Sequence, residues 1–442
     1  MTFNKISVRE VLPIVRDHIL ADGYRMVLDL EKSEGCYIYD SLNDRRVIDL
    51  FSYFGTKPLG HNHPTMVQDE SFKKDLLSAA LENPSNSDFY TTQYANFLET
   101  FARVAMPEPY IHAFFISGGT LAVENALKVS MDWKIKKNYK KGVREEKGRQ
   151  VIHFKEAFHG RSGYCLSLTN SKPEHTDGFT KFTWPRIDNP KMTFPLDDGS
   201  LRDVIQQEEK AVLQIKNALK NNPDDICAII IEPIQSEGGD NHFRKEFLQA
   251  LRHICDENEV MLIFDEVQNG VGLTGKFWAY EHFDVVPDIL AFGKKLQVCG
   301  IIATGRIDEI TDNCFSVKGR INSTWGGNLA DMVRATKILR IIEEENLVEN
   351  SAKQGQYILE KLDCLGKNRK ISNARGRGLQ CAFDLPDKSF REKLLETALK
   401  NDLLLLGAGE RSIRFRPPLT ITREVIDEAF VILDKSLVEI GL

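Results

Sequence analysis

The sequence predicts an α/β fold: a mostly parallel central sheet covered by helices, with a smaller α+β lobe built from both termini. Three observations carry this reading. The middle of the chain holds short runs of continuous apolar residues, the pattern of strands buried on both faces. Helical stretches such as "LAVENALKVSMDWKIKK" and "EFLQALRHICDENE" lie between those runs. The last hundred residues then change character, from a helix-rich stretch to two further strand-like segments and a final helix.

In chain order, the first sixty residues are expected to pack with the small lobe. Residues 61–329 form the large domain. Its strands are expected in "HAFFISGG" (His112–Gly119), "QVIHFKEAFHG" (Gln150–Gly160), "ICAIIIEP" (Ile226–Pro233), "VMLIFDEV" (Val260–Val267) and "DILAFG" (Asp288–Gly293). Residues 330–442 form the small domain, with strands in "GRGLQCAFDL" and "RSIRFRPPLTIT" and the amphipathic helix "REVIDEAFVILDKSLVEI". The lysine-rich stretch Lys134–Gln150 reads as a solvated helix end and loop.

Bulk properties exclude several classes. A formal charge of -6 argues against a nucleic-acid face. No apolar run is long enough for a bilayer, and the N-terminus lacks the apolar core of a signal peptide, so a cytoplasmic protein is expected. The eight cysteines include no C-x-x-C pair, which fits reduced thiols and no metal site. Cys165, Cys227 and Cys299 read as core packing.

Ligand chemistry in such sheets gathers at the carboxyl ends of the strands. "SGGT" (Ser117–Thr120) joins a strand to a helix, and its free N–H groups suit a phosphate; a tight turn without a ligand is the plainer reading. "EAFHGR" offers Phe158 as a flat face and Arg161 as a carboxylate fork, or a core Phe and a surface Arg. Glu232 and Glu237 follow a buried strand and must be paired or solvated. Asp265 ends a wholly apolar strand and needs a cationic partner; a protonated pyridine nitrogen fits, with Gln268 close to a phenolic oxygen on the same ring. A magnesium–nucleotide site would need a G-x-x-x-x-G-K-[ST] loop upstream, and none is present. Tyr53, Phe54 and the loop near His61 are candidates for a pocket wall or for core. Finally, "PDILAFGKKLQVCG" delivers two lysines, Lys294 and Lys295, to a strand end. A lysine, an aspartate on another strand, an aromatic slab and a phosphate cradle together form the protein's share of pyridoxal-phosphate chemistry.

Read together, "FDEVQNG" and "PDILAFGK" resemble the class III aminotransferases over nearly the whole chain. The resemblance implies a fold-type I enzyme with a seven-stranded-type sheet, pyridoxal 5'-phosphate as cofactor, and a homodimer with shared active sites. It places the cofactor on Lys294, six positions after Asp288, and leaves Lys295 as a helix-start or surface residue. It implies that Gly119 and Thr120 hold the phosphate, Phe158 stacks on the ring, Asp265 pairs with the ring nitrogen and Gln268 lies near the 3-hydroxyl. Thr324 would reach the phosphate from the partner subunit. Arg161 would grip the substrate's distal carboxylate, Asn322 would line the pocket, and Glu237 with Arg414 would form a switch pair; spacing alone leaves Arg416 as the alternative arginine. Within the class, "SGGTLAVENALKVSMDWK", "FTKFTWPRID", "FGKKLQVCG" and "INSTWGGNLADMVR" are most similar to the lysine 6-aminotransferases. The implied substrates are L-lysine and 2-oxoglutarate, with glutamate as product. Transamination of 4-aminobutyrate or ornithine is the alternative within the class, and a non-catalytic α/β binding protein is the alternative outside it.

Overall fold

The computed structural model describes residues 6–442. Strands β1 (Tyr37–Asp40) and β2 (Arg45–Asp49) form an antiparallel hairpin near the N-terminus. The middle of the chain supplies β3 (Tyr110–Ile116), β4 (Gln150–Phe154), β5 (Arg186–Ile187), β6 (Ile226–Ile231), a small hairpin of β7 (Ile234–Gln235) and β8 (Asn241–His242), then β9 (Met261–Asp265), β10 (Ile289–Phe292) and β11 (Cys299–Thr304). The C-terminal part adds β12 (Ser372–Arg377), β13 (Gln380–Asp384), β14 (Leu403–Leu404), β15 (Leu406–Ala408) and β16 (Ser412–Arg414).

The central sheet has seven strands in the order β3-β11-β10-β9-β6-β4-β5. All are parallel except β11, which runs antiparallel to both β10 and β3. This is the mostly parallel, helix-covered sheet that the apolar runs predict. The run β11 was not among the predicted strands. Its sequence, Cys-Gly-Ile-Ile-Ala-Thr, follows the lysine pair so closely that it reads as the tail of a loop.

Strand periodicity explains why this sheet needs cover on both sides. In β9, Leu262 and Phe264 join one core cluster while Met261 and Ile263 join the other. The same alternation divides Leu290 and Phe292 from Ile289 and Ala291 in β10. One face packs on helix Gly119–Lys140 through Ala126, Val129 and Trp133. Each large side chain sealed this way contributes about 2–3 kcal/mol of transfer free energy. Asp265 falls on the Met261–Ile263 side of β9, so the pleat aims it toward the start of that helix.

The remaining strands form three smaller sheets, one of them the β7–β8 hairpin. A four-stranded antiparallel sheet, β12-β13-β16-β15, is flanked by helices Leu347–Asn368 and Lys388–Lys400. The N-terminal hairpin is extended by a C-terminal strand, because β14 pairs in parallel with β2 at Leu403–Ile48. One local expectation is corrected. The helix from Gly119 runs to Lys140 and buries Lys134, whose Nζ donates to the Glu259 carbonyl at 2.9 Å. Its ammonium has replaced water with the carbonyls of a turn, so this part of the charged stretch is not a solvated face. Among the described residues no helix is long and apolar enough to cross a membrane, and no cluster of metal-ligating side chains occurs.

Candidate active site

A cavity of about 620 Å³ opens at the carboxyl ends of the parallel strands. Its lining brings together Gly119, Thr120, Phe158, Asp265, Gln268 and Lys294. These six residues come from four separate segments. Arg161, Asn322 and Thr324 are not part of this lining; all three are exposed in the single chain.

One wall is the N-terminus of helix Gly119–Lys140. Its N-cap is Gly118 at φ 101°, without a side-chain cap, and the first in-helix bond is donated by Ala122 to the Gly118 carbonyl. The preceding N–H groups are left for an anion, with the helix dipole behind them. Gly160 makes the opposite loop fit, because a Cβ there would sit 2.4 Å from the Thr120 hydroxyl oxygen. Phe158 offers its ring to the cavity and meets His175 edge-on at 5.7 Å.

Asp265 is buried at the floor. Its Oδ2 accepts from His159 Nδ1 at 2.8 Å and its Oδ1 from the Val267 N–H at 3.1 Å. His159 Nε2 is buried without a partner. Beside them Glu232 accepts from the Phe158 and Ser236 N–H groups, both at 3.0 Å. Burial pushes its carboxyl up to about 7, against the pull of His159. Sequence reasoning did not single out His159. The available signal was its place directly after Phe158 at a strand end, facing a buried aspartate.

Lys294 follows β10 in the left-handed region at φ 46°. An ordinary side chain held there costs about 1–3 kcal/mol, which marks a position fixed by its surroundings. Burial, reinforced by Arg414 and Arg416, pulls its ammonium down to about 8, while Glu237 and Asp265 oppose the shift. Lys295 lies in the short 3-10 helix Lys294–Leu296, as a helix-start residue would, but the surface alternative is corrected: it is 2% exposed, and its Nζ donates to the Gln268 carbonyl at 2.8 Å. The 3-10 turn Lys294–Leu296 points the two lysines inward together. Cys299 is a second correction, since it is only partly buried and lines the cavity. Cys165 and Cys227 are core residues. Tyr53 lines the cavity as well, while Phe54 lies 5.6 Å from Lys294 Nζ.

The two arginines differ in what they touch. Arg416 has every nitrogen bonded: Nη1 donates to Asp240 at 2.9 Å and to the Phe415 carbonyl at 2.7 Å, Nη2 to Asp240, and Nε to Gln268 Oε1 at 3.1 Å. Arg414 donates to Glu237 at 2.6 Å and to Gln268 Oε1 at 3.1 Å, and its Nε is buried without a partner. Glu237 is the less enclosed partner, 15% exposed, and also meets Lys172 at 2.9 Å. Burial raises its carboxyl, but Arg414 and Lys172 outweigh that and hold it below its ordinary value. The guanidinium with an unpartnered Nε, beside the less enclosed carboxylate, is thus Arg414.

A phosphorylated, nitrogen-containing aromatic aldehyde fits this set. The uncapped helix start suits its phosphate, Phe158 its ring face, Asp265 its nitrogen, and the Lys294 amine its aldehyde.

Comparison with known proteins agrees. The aminotransferase class-III family model matches residues 19–437. The chain is 48% identical over 421 residues to the L-lysine-epsilon aminotransferase of Mycobacterium tuberculosis, covering 95% of this chain and 93% of that one. It is 44% identical over 441 residues to the L-lysine-epsilon aminotransferase of Streptomyces clavuligerus, covering 99% and 96%. The human mitochondrial 4-aminobutyrate aminotransferase is 30% identical over 430 residues, covering 90% of this chain and 82% of that one. A solved structure of lysine aminotransferase from M. tuberculosis superposes with a TM-score of 0.96 at 47% identity, covering 99% of this chain and all of that one. A family match across almost the entire chain, on a cavity that suits the family's cofactor, makes this protein a class-III aminotransferase, a pyridoxal 5'-phosphate-dependent transaminase.

Proposed function

We propose that this transaminase moves the terminal amino group of L-lysine onto 2-oxoglutarate, giving 2-aminoadipate 6-semialdehyde and glutamate. The observation that carries the reading is the Glu237–Arg414 contact at 2.6 Å in a chain 44–48% identical to lysine-specific relatives. Lysine presents no carboxylate beside its reacting amine, whereas glutamate does. One site must therefore accept an uncharged chain in one half-reaction and a carboxylate in the other. Glu237 neutralises Arg414 in the first and gives way in the second, so that no buried guanidinium is left unpaired.

Bound pyridoxal 5'-phosphate supplies an aldehyde that takes up the amine and a ring that accepts electrons when a proton leaves the reacting carbon. The chain's own residues do the rest. Gly119 and Thr120 bind the phosphate, Phe158 covers the ring and Gln268 addresses the 3-hydroxyl. Asp265, oriented by His159, holds the proton on the ring nitrogen. Lys294 Nζ, released as a neutral amine, takes the proton from C6 of lysine. Its ionisation, drawn down from 10.5 to about 8, makes that neutral form far more accessible at neutral pH than in an ordinary lysine. Arg161 holds the distal carboxylate in both halves and Asn322 borders the chain of the substrate. Thr324 stands exposed on its loop, which fits a homodimer in which it completes the partner's phosphate site. A cytoplasmic setting fits cysteines that form no disulfide among the described residues.

Half-reaction kinetics on the loaded enzyme test the assignment. Lysine is expected to discharge the cofactor absorbance far faster than ornithine or 4-aminobutyrate. Faster discharge by either competitor would refute lysine as the donor and assign that amine instead.

A further inference from the structure

We propose that Lys295 is a positioning residue: its buried amine fixes Gln268, and Gln268 in turn anchors Arg414 where the acceptor's carboxylate binds. The proposal rests on the reading of Arg414 as the carboxylate-binding arginine.

When Glu237 gives way, Arg414 loses its 2.6 Å partner and keeps only the bond to Gln268 Oε1. Gln268 therefore decides where the freed guanidinium points. Its Oε1 accepts from Arg414 Nη1 and Arg416 Nε, both at 3.1 Å. Guanidinium groups only donate, so this orients the carboxamide with oxygen toward the arginines and nitrogen away from them. Arg416 is itself locked onto Asp240 with neither side chain exposed, which makes it a fixed post.

The backbone of Gln268 needs a separate restraint. It lies three residues beyond the end of β9, past the last ladder partner of Asp265. Lys295 Nζ supplies the restraint, donating to the Gln268 carbonyl at 2.8 Å from the turn after β10. The amine has no compensating carboxylate: burial bears on it most, and the charged groups that add to that effect, Arg416 and Lys294, are both cationic. A methionine would fill similar space without that desolvation cost. What the position gains from an amine is the hydrogen bond, which spans from the strand end that carries the cofactor lysine to the wall that carries the arginine anchor.

The test is the affinity of holoenzyme for glutarate, a dicarboxylate that cannot react, measured by calorimetry, beside the KM for lysine. Lys295→Met should raise the glutarate Kd about tenfold, as expected for a displaced charge-assisted bond, and by a larger factor than it raises the lysine KM. Lys295→Gln, which keeps an N–H donor, should fall between the parent and Lys295→Met. Unchanged glutarate binding in Lys295→Met, or equal losses for glutarate and lysine, would overturn the proposal. If Lys295→Met does not fold, Gln268→Leu removes the shared acceptor directly, and normal glutarate binding by that variant would overturn it as well. Glu237→Gln separates the underlying reading: it should tighten glutarate by removing the competitor. A glutarate affinity that ignores Glu237→Gln sinks the switch, while the Lys295 variants still decide the anchor.

Discussion

Replacing Glu237 by Gln keeps the shape of the side chain and removes its charge. Arg414 is fully enclosed and Glu237 nearly so, with 2.6 Å between the bonded atoms. Unit charges about 4 Å apart interact by roughly 4 kcal/mol at an effective dielectric constant of 20. Lys172 shares the carboxylate at 2.9 Å, and Gln retains a neutral hydrogen bond to the guanidinium. Halving the Coulomb figure for these two effects leaves about 2 kcal/mol, or about thirtyfold. In Glu237→Gln the guanidinium faces the uncharged chain of lysine without a counter-charge. The second-order constant for the lysine half-reaction should fall about thirtyfold, while that for 2-oxoglutarate should hold or rise. Stopped-flow absorbance of the cofactor reads each half separately. Equal losses in both halves, or an unchanged lysine half, would refute the switch.

Asp265→Asn keeps the volume beneath the cavity but removes the carboxylate that accepts from His159 and from the Val267 N–H; turnover should drop roughly a hundredfold with cofactor still bound, and parent-like turnover would contradict its role. In the apo protein Lys294 ionises near 8 rather than 10.5. Between those values the unfolded chain holds a proton that the folded chain does not, so parental stability rises with pH across the window. Below it the full cost, about 3 kcal/mol, is present. Lys294→Met should therefore stabilise apo protein at pH 7 by up to that amount, with the gain shrinking toward pH 10.5 in denaturant melts; a gain that grows with pH would contradict the buried-amine picture. Gly355→Ala should lower the melting temperature by several degrees, because a Cβ there would lie 1.9 Å from the Gly378 carbonyl oxygen; an unchanged melt would show that the crossing of helix and turn relaxes freely.

Much of the sheet was legible because burial on both faces forces unbroken apolar runs. β6 is Ile-Cys-Ala-Ile-Ile-Ile and β9 is Met-Leu-Ile-Phe-Asp, and neither pattern suits a surface. β11 escaped because its glycine and cysteine follow the lysine turn without a break, and only pairing with β3 and β10 defines it. In the site, residues at strand ends were legible, since an Asp or Lys that closes an apolar strand has nowhere else to go. The choice between Arg414 and Arg416 was not, because both face inward and only their partners distinguish them. Lys295 was misread for the same reason: its partner is a main-chain carbonyl, which leaves no mark in the sequence. Arg161, Asn322 and Thr324 are not among the residues lining the cavity of one chain, although Arg161 directly follows the lining residue Gly160, and neither spacing nor the fold of a single copy assigns them a contact.

The most direct test is chemical. Holoenzyme reduced with borohydride and digested should carry the pyridoxyl mass on Lys294 alone, with absorbance fixed at the reduced form. Label on Lys295, or protein that loses the reduced-form absorbance on dialysis, would contradict the claim that the first lysine of the pair bears the cofactor.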